Sequence, residues 1–214
     1  MRYTLSLIAA ALLLIPASAQ VNGKGTLQFG LGTHLGVHAT HYEWKTHLLG
    51  LTAKGSDNDG AVTSTWPIDA QVGLSDRFSL GLCLEPGRYL DSAGTHPNQL
   101  FLVSLSPRFY AVNKDHFALY LHADLGSGFL KIGDVRSGIN RYDDRYTGGH
   151  FRLGSAVQWY FGDVFGINLG LMYAAHRLKW QSREPNDPLL DVADYSATLS
   201  TSGILFRAGL QVKL

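Results

Sequence analysis

Four histidines crowd one stretch of the chain: His34, His38, His41 and His47. Several neutral imidazoles held close together can bind a transition metal. Their spacing matches no standard zinc pattern. If the backbone is extended, His34 and His38 share a face and His41 points away, which leaves at most a loose three-ligand set of His34, His38 and His41. The plainer reading is a set of separate loop imidazoles, so no metal and no cofactor is expected. Asp57-Asn58-Asp59-Gly60 has the opening of a calcium loop but lacks the later acidic ligands such a loop needs, and it reads as a solvated Asp-Gly turn. His176, Ser182 and Glu184 are the nearest approach to a base, nucleophile and orienting acid, yet no lipase or acyltransferase signature surrounds them. His122 and Asp124 are two apart, on one face of a strand, where they form either a catalytic dyad or part of a space-filling hydrogen-bond network. The network is the better reading.

Whichever chemistry is real, it must be positioned by the elements around it, and these alternate with period two. In the first, Leu27, Phe29, Leu31, Leu35 and Val37 oppose Gln28, Gly30, Gly32, His34 and Gly36. In the third, Phe78, Leu80, Leu82 and Leu84 oppose Ser79, Gly81, Cys83 and Glu85. Eight such segments follow one another to Leu214. Short connections at Ser75-Asp76, Asn113-Lys114-Asp115 and Gly162-Asp163 interleave with long polar ones near 38–65, 87–99, 133–148 and 181–197. A sheet that crosses a membrane places alternate connections on opposite sides, so this pattern clips one side and elaborates the other.

The chain opens with Arg2, an apolar run from Leu5 to Ile15, and Ala17-Ser18-Ala19, which reads as a secretory signal over 1–19 followed by a barrel domain over 20–214. No later stretch is long and apolar enough for a membrane helix. Arg2 is one of 18 basic residues, so residues 20–214 carry 17 basic against 17 acidic groups, and nothing in that balance favours a nucleic-acid partner. The one cysteine, Cys83, cannot form an internal disulfide.

Alternation alone does not say which face is inside. The polar face is rich in Gly, which weakens an ordinary strand and calls for a packing reason that a narrow lumen supplies. Among those glycines stand Glu85, Arg108, His122, Asp124, Arg152 and Arg207, a set of charges of both signs expected to pair across the lumen. The other face is a lipid-compatible surface of Leu, Phe, Val and Ile. Trp66, Tyr89, Tyr110, Trp159, Tyr160, Phe161, Tyr173 and Trp180 lie near strand ends and are expected to build two interfacial girdles.

On these residues the chain resembles the small eight-stranded outer-membrane barrels typified by the OmpA membrane domain and OmpX. The resemblance is one of architecture, without a shared motif. It implies an all-β, antiparallel, up-and-down transmembrane barrel with short periplasmic turns and four long extracellular loops, located in the cell outer membrane. The segment from Gly203 to Leu214 is similar to the C-terminal signal read by the barrel-assembly machinery, although many such signals end in Phe. The partners implied are outer-membrane lipid and lipopolysaccharide, the assembly machinery during insertion, and an unidentified extracellular ligand. No wall-binding domain is expected beyond the barrel, so a tethering role is not implied. The expected task is structural or surface-interacting, with loops displayed outward. Some barrels of this size modify lipid A, and a narrow gated pore is a third class; both rank below display.

Overall fold

The computed structural model describes residues 20–92, 96–137, 140–185 and 194–214, so the expected signal over 1–19 lies outside the described residues. No helix among them is long and apolar enough to cross a membrane. Among the described residues nine strands form a single antiparallel sheet: β1 (Leu27–Leu48), β2 (Leu51–Thr65), β3 (Ile68–Ser75), β4 (Phe78–Asp91), β5 (Asn98–Asn113), β6 (Phe117–Ser137), β7 (Asn140–Phe161), β8 (Phe165–Glu184) and β9 (Ser196–Lys213). Strands β2 and β3 both lie between β1 and β4, and β9 pairs back onto β1. The sheet is therefore a closed ring of eight staves, the second of them broken between β2 and β3.

The break falls at Trp66-Pro67, where proline has no N–H for the ladder. Bonds on either side carry the sheet across it: Trp66 N donates to the Pro86 carbonyl at 2.8 Å, and Gly32 N donates to the Pro67 carbonyl at 3.1 Å.

Closure fixes the stagger of the staves. Register partners followed once round the ring lead from Phe29 through Ala70, Leu82, Leu105, Leu125, Phe151, Ala175 and Ser202 to Ala39, which is ten residues further along the starting strand. With eight staves and ordinary strand spacing, that stagger tilts the strands by about 40° to the barrel axis and leaves an interior that side chains fill.

The short connections fall within a residue or two of the expected places, with Gly162 supplying a left-handed φ of 86° at the third. The long ones differ in kind from loops. Most of 38–65 is strand: β1 runs to Leu48 and β2 begins at Leu51, leaving Leu49-Gly50 as the turn. The other three long connections likewise begin and end as continuations of the barrel strands. The long side of the barrel is thus a crown of extended β-hairpins.

The alternation holds through the belt. Leu31, Val37, Ile68, Leu82, Leu153 and Leu210 each expose half or more of their surface on the outer wall, while the polar face is buried inside. Above the belt the two faces exchange character. On β8 the outer wall runs Leu169, Leu171, Tyr173, Ala175 and then Arg177, Lys179; the inner runs Asn168, Gly170 and then Leu178. Where the surroundings change from lipid to water, the barrel becomes ordinary soluble β-structure and needs an apolar core of its own. Leu100, Leu102, Leu130, Tyr146, Leu178 and Leu199 supply it, with Tyr42, Trp44, Trp180 and Tyr195 packed against them.

This exchange redistributes the expected girdles. Trp66, Trp159, Phe161 and Tyr173 face outward, but Tyr89, Tyr110 and Tyr160 are buried within the barrel and Trp180 packs on the upper core. Their strand-end positions were legible; which wall they served depended on parity.

Candidate functional site

The lumen is stacked in four layers, beginning at the short-turn end. Residues 20–26 fold back beneath the staves and stopper that mouth. Val21 N donates to the Lys114 carbonyl at 3.1 Å, Asn22 N to Asn113 Oδ1 at 3.0 Å, and Asn22 Nδ2 to the Ser75 carbonyl at 2.7 Å. Val21 is fully buried among Tyr110, Ala118, Tyr120, Ala156 and Tyr160. Gly73 has to be glycine there, because a Cβ would collide with the Gly23 carbonyl oxygen of the folded-back segment.

The second layer holds the charges. Arg152 grips Glu85 with both ends of its guanidinium, Nη2 to Oε2 at 2.6 Å and Nη1 to Oε1 at 3.0 Å, and its Nε lies 3.5 Å from Asp124 Oδ2. His34 Nδ1 sits 2.9 Å from Glu85 Oε1, and Thr65 Oγ1 donates to the same oxygen. Arg108 Nη2 donates to Asp69 Oδ2 at 2.8 Å, and Arg207 donates to the other Asp69 oxygen. The Arg108 guanidinium also lies over the Tyr120 ring, 5.1 Å from its centre. Glu85, Arg108 and Arg152 have no exposed surface at all.

Glu85, Arg108, Asp124, Arg152 and Arg207 therefore occupy one layer, paired in a pattern that needs Asp69 as well. Asp69 was visible on the polar face of its strand without being placed in the set. The signal was arithmetic: three arginines faced two carboxylates, and a buried guanidinium without an acid is costly. His122 joins the layer differently. Its Nδ1 is 3.9 Å from Asp124 Oδ1, beyond hydrogen-bond reach, and its ring stands edge-on to Tyr120 at 5.5 Å. The pair fills space: the Ser106 hydroxyl is hydrogen-bonded to Asp124, and among the described residues neither His122 nitrogen has a hydrogen-bond partner.

The third layer, where the walls exchange character, is a row of imidazoles from three strands. His150 stacks on His176 with ring centres 5.7 Å apart, His38 meets His176 edge-on at 5.8 Å, and His38 Nε2 lies 2.8 Å from Thr63 Oγ1. The proposed metal set is dispersed: His34 is in the ion-pair layer, His38 in this row, and His41 on the outer wall, bonded to Asn58 and Glu43. His47 reaches only Thr52, on the facing strand. Among the described residues no three His, Cys, Asp or Glu groups are arranged to hold a metal. The His41 contacts, Asn58 first and Glu43 second, hold its imidazole above the ordinary value and favour its cationic form.

The other candidates separate too. His176 points into the lumen, Ser182 lies six residues, on the order of 20 Å, further along the same strand, and Glu184 pairs on the surface with Arg145 at 2.7 Å. Asp57 to Gly60 is part of β2; Asp57 and Asp59 each accept the N–H of the next residue, and Ser92 Oγ donates to Asp59. The fourth layer is the apolar core beneath the crown.

A closed ring of eight staves with an apolar belt outside and a buried ion-pair layer inside is a transmembrane β-barrel. Its fold is that of the small outer-membrane barrel proteins. It is similar to the outer membrane protein OprG from Pseudomonas aeruginosa, at 11% identity and a TM-score of 0.56, over 90% of this chain and 97% of that one. It is similar to the outer membrane protein AlkL, solved in DMPC lipid bilayers, at 11% identity and a TM-score of 0.57, over 94% and 95%. No family model and no curated protein matches the chain by sequence. At this identity the likeness is one of fold.

Proposed function

We infer that this chain is an integral outer-membrane barrel with a sealed lumen, whose working surface is the crown of β-hairpins held above the membrane. The observation that carries the reading is the charged layer. Asp69, Glu85 and Asp124 are matched against Arg108, Arg152 and Arg207 with almost no exposed surface, so there is no continuous water path for a solute. The folded-back segment at Val21 closes the same passage a second time. A barrel that does not conduct and carries a rigid apolar core inside its crown is suited to present that crown to polysaccharide, protein or another surface. Insertion by the barrel-assembly machinery and contact with lipopolysaccharide belong to the same reading. Separation of the His, Ser and Glu candidates supports a non-catalytic role.

Three measurements test it. Protein refolded in detergent should run faster on SDS gels before boiling than after it, and in planar bilayers it should give no steady unitary conductance, as should the Glu85→Ala variant. Steady channels from the folded band would overturn the sealed lumen. Incubation with lipid A should leave the lipid mass unchanged; a lost or gained acyl chain would replace display by catalysis.

A further inference from the structure

The outer wall carries a feature that display does not require. Across β7, β8, β9 and β1, register partners at the top of the apolar belt read Leu153, Tyr173, Ile204, Val37. The next row up reads Phe151, Ala175, Ser202, Ala39, and the one above it Gly149, Arg177, Ser200, His41. Three large side chains give way to small ones, and the wall is hollowed into a groove of ≈ 680 Å³ between Phe151 and His41. Ser200 is the partner of both Arg177 and His41, so these two side chains stand on either side of a hydroxyl-lined floor. Lys179 lies two residues beyond Arg177 on the same wall, beside Thr198. Among the described residues neither Arg177 nor Lys179 has an ion-pair partner, whereas the neighbouring Arg145 and Lys131 are each tied to an acid.

We propose that this groove binds one phosphorylated glycolipid of the facing leaflet, of the lipid A class. Depth, charge and width select that occupant. The groove lies where the belt gives way to water, which is the depth of lipid headgroups. Arg177 offers a planar fork for phosphate and Lys179 a second, mobile charge. Four strands span about 14 Å, more than a single phosphodiester headgroup fills, and Ser200, Ser202 and Thr198 offer hydroxyls to sugar rather than to acyl chain. Phe151 and Ala175 remain below for the first methylenes. The carboxylate of Glu43 caps His41 and faces the far rim, so phosphate is placed on the Arg177 side.

The assignment rests on the apolar belt facing lipid, and the test separates the two. Folded protein in detergent micelles is mixed in turn with bisphosphorylated lipid A, the same lipid dephosphorylated, and phosphatidylglycerol, and retained lipid is counted by native mass spectrometry. Wild type should retain bisphosphorylated lipid A about tenfold better than either alternative, since each cation near an anionic surface contributes substantially. Arg177→Ala/Lys179→Ala should abolish the preference, and Ser202→Trp should do so by filling the groove with both cations intact. Lys54→Ala, on the hairpin above, should change nothing. Equal retention by wild type and the double variant would overturn the site, as would phosphatidylglycerol held as well as lipid A. Each variant is scored only as its heat-modifiable band, with Arg177→Gln as the milder replacement. Failure of wild type itself to give that band would instead bring down the membrane barrel.

Discussion

Arg152→Ala lowers the stability of the folded barrel by about 3–5 kcal/mol, the usual consequence of removing one partner from a buried pair. The side chain touches two acids, doubly to Glu85 at 2.6 and 3.0 Å and through Nε toward Asp124 at 3.5 Å. Its loss strands both carboxylates in a layer without solvent contact, and His34 and Thr65 supply only hydrogen bonds to one of them. Arg152→Lys should lose part of the same energy, because an ammonium is a point charge that cannot hold Glu85 at both ends. Arg152→Met with Glu85→Gln should recover more than half of the loss, since the largest uncompensated charge goes with its partner. Urea titration of the refolded protein in phosphatidylcholine vesicles, followed by tryptophan fluorescence, measures all three. A single variant within 1 kcal/mol of wild type would mean that water reaches Glu85, and the sealed lumen would fall with it.

That layer shows how much of the site was legible in the chain. Glu85, Arg108, Asp124, Arg152 and Arg207 were found because a charge on a Gly-rich strand face has few places to go. Which acid meets which arginine was not, because the matching depends on how far the staves are staggered, and the ten-residue offset appears only once the ring is closed. Asp69 pairs with Arg207, its neighbour across the lumen and distant in sequence. His34 looked like a metal ligand for the same reason: its nearest histidines in sequence are elsewhere in space, and its real contact, Glu85, comes from another strand. The imidazole row of His38, His150 and His176 had no signal in spacing at all, since each comes from a different stave.

The strands of the crown are hidden from period-two patterning for a different physical cause. Period-two patterning identifies a strand when one face is apolar throughout, but in a barrel that leaves the membrane the apolar face changes sides. Near that point the pattern passes through stretches that look polar on both faces, such as His38 to Glu43, and such stretches carry no strand signal of their own. The change of side predicts a reversal in mutational cost along one strand. On β8, Leu171 stands in the middle of the outer belt, 56% exposed, while Leu178 is buried in the upper core and Lys179 follows it on the outer wall. Leu171→Arg should cost about 2–4 kcal/mol in vesicles, as a cation on the lipid face near the midplane does. Leu178→Ala should cost about 2–5 kcal/mol, the price of a core cavity. Lys179→Leu should stay within about 0.5 kcal/mol in phosphatidylcholine, because that position already lies above the hydrocarbon belt. The same urea titration reads them side by side. If Leu171→Arg is tolerated while the barrel stays folded and soluble without detergent, the belt does not face lipid, and the inside and outside assigned to every layer above must be exchanged.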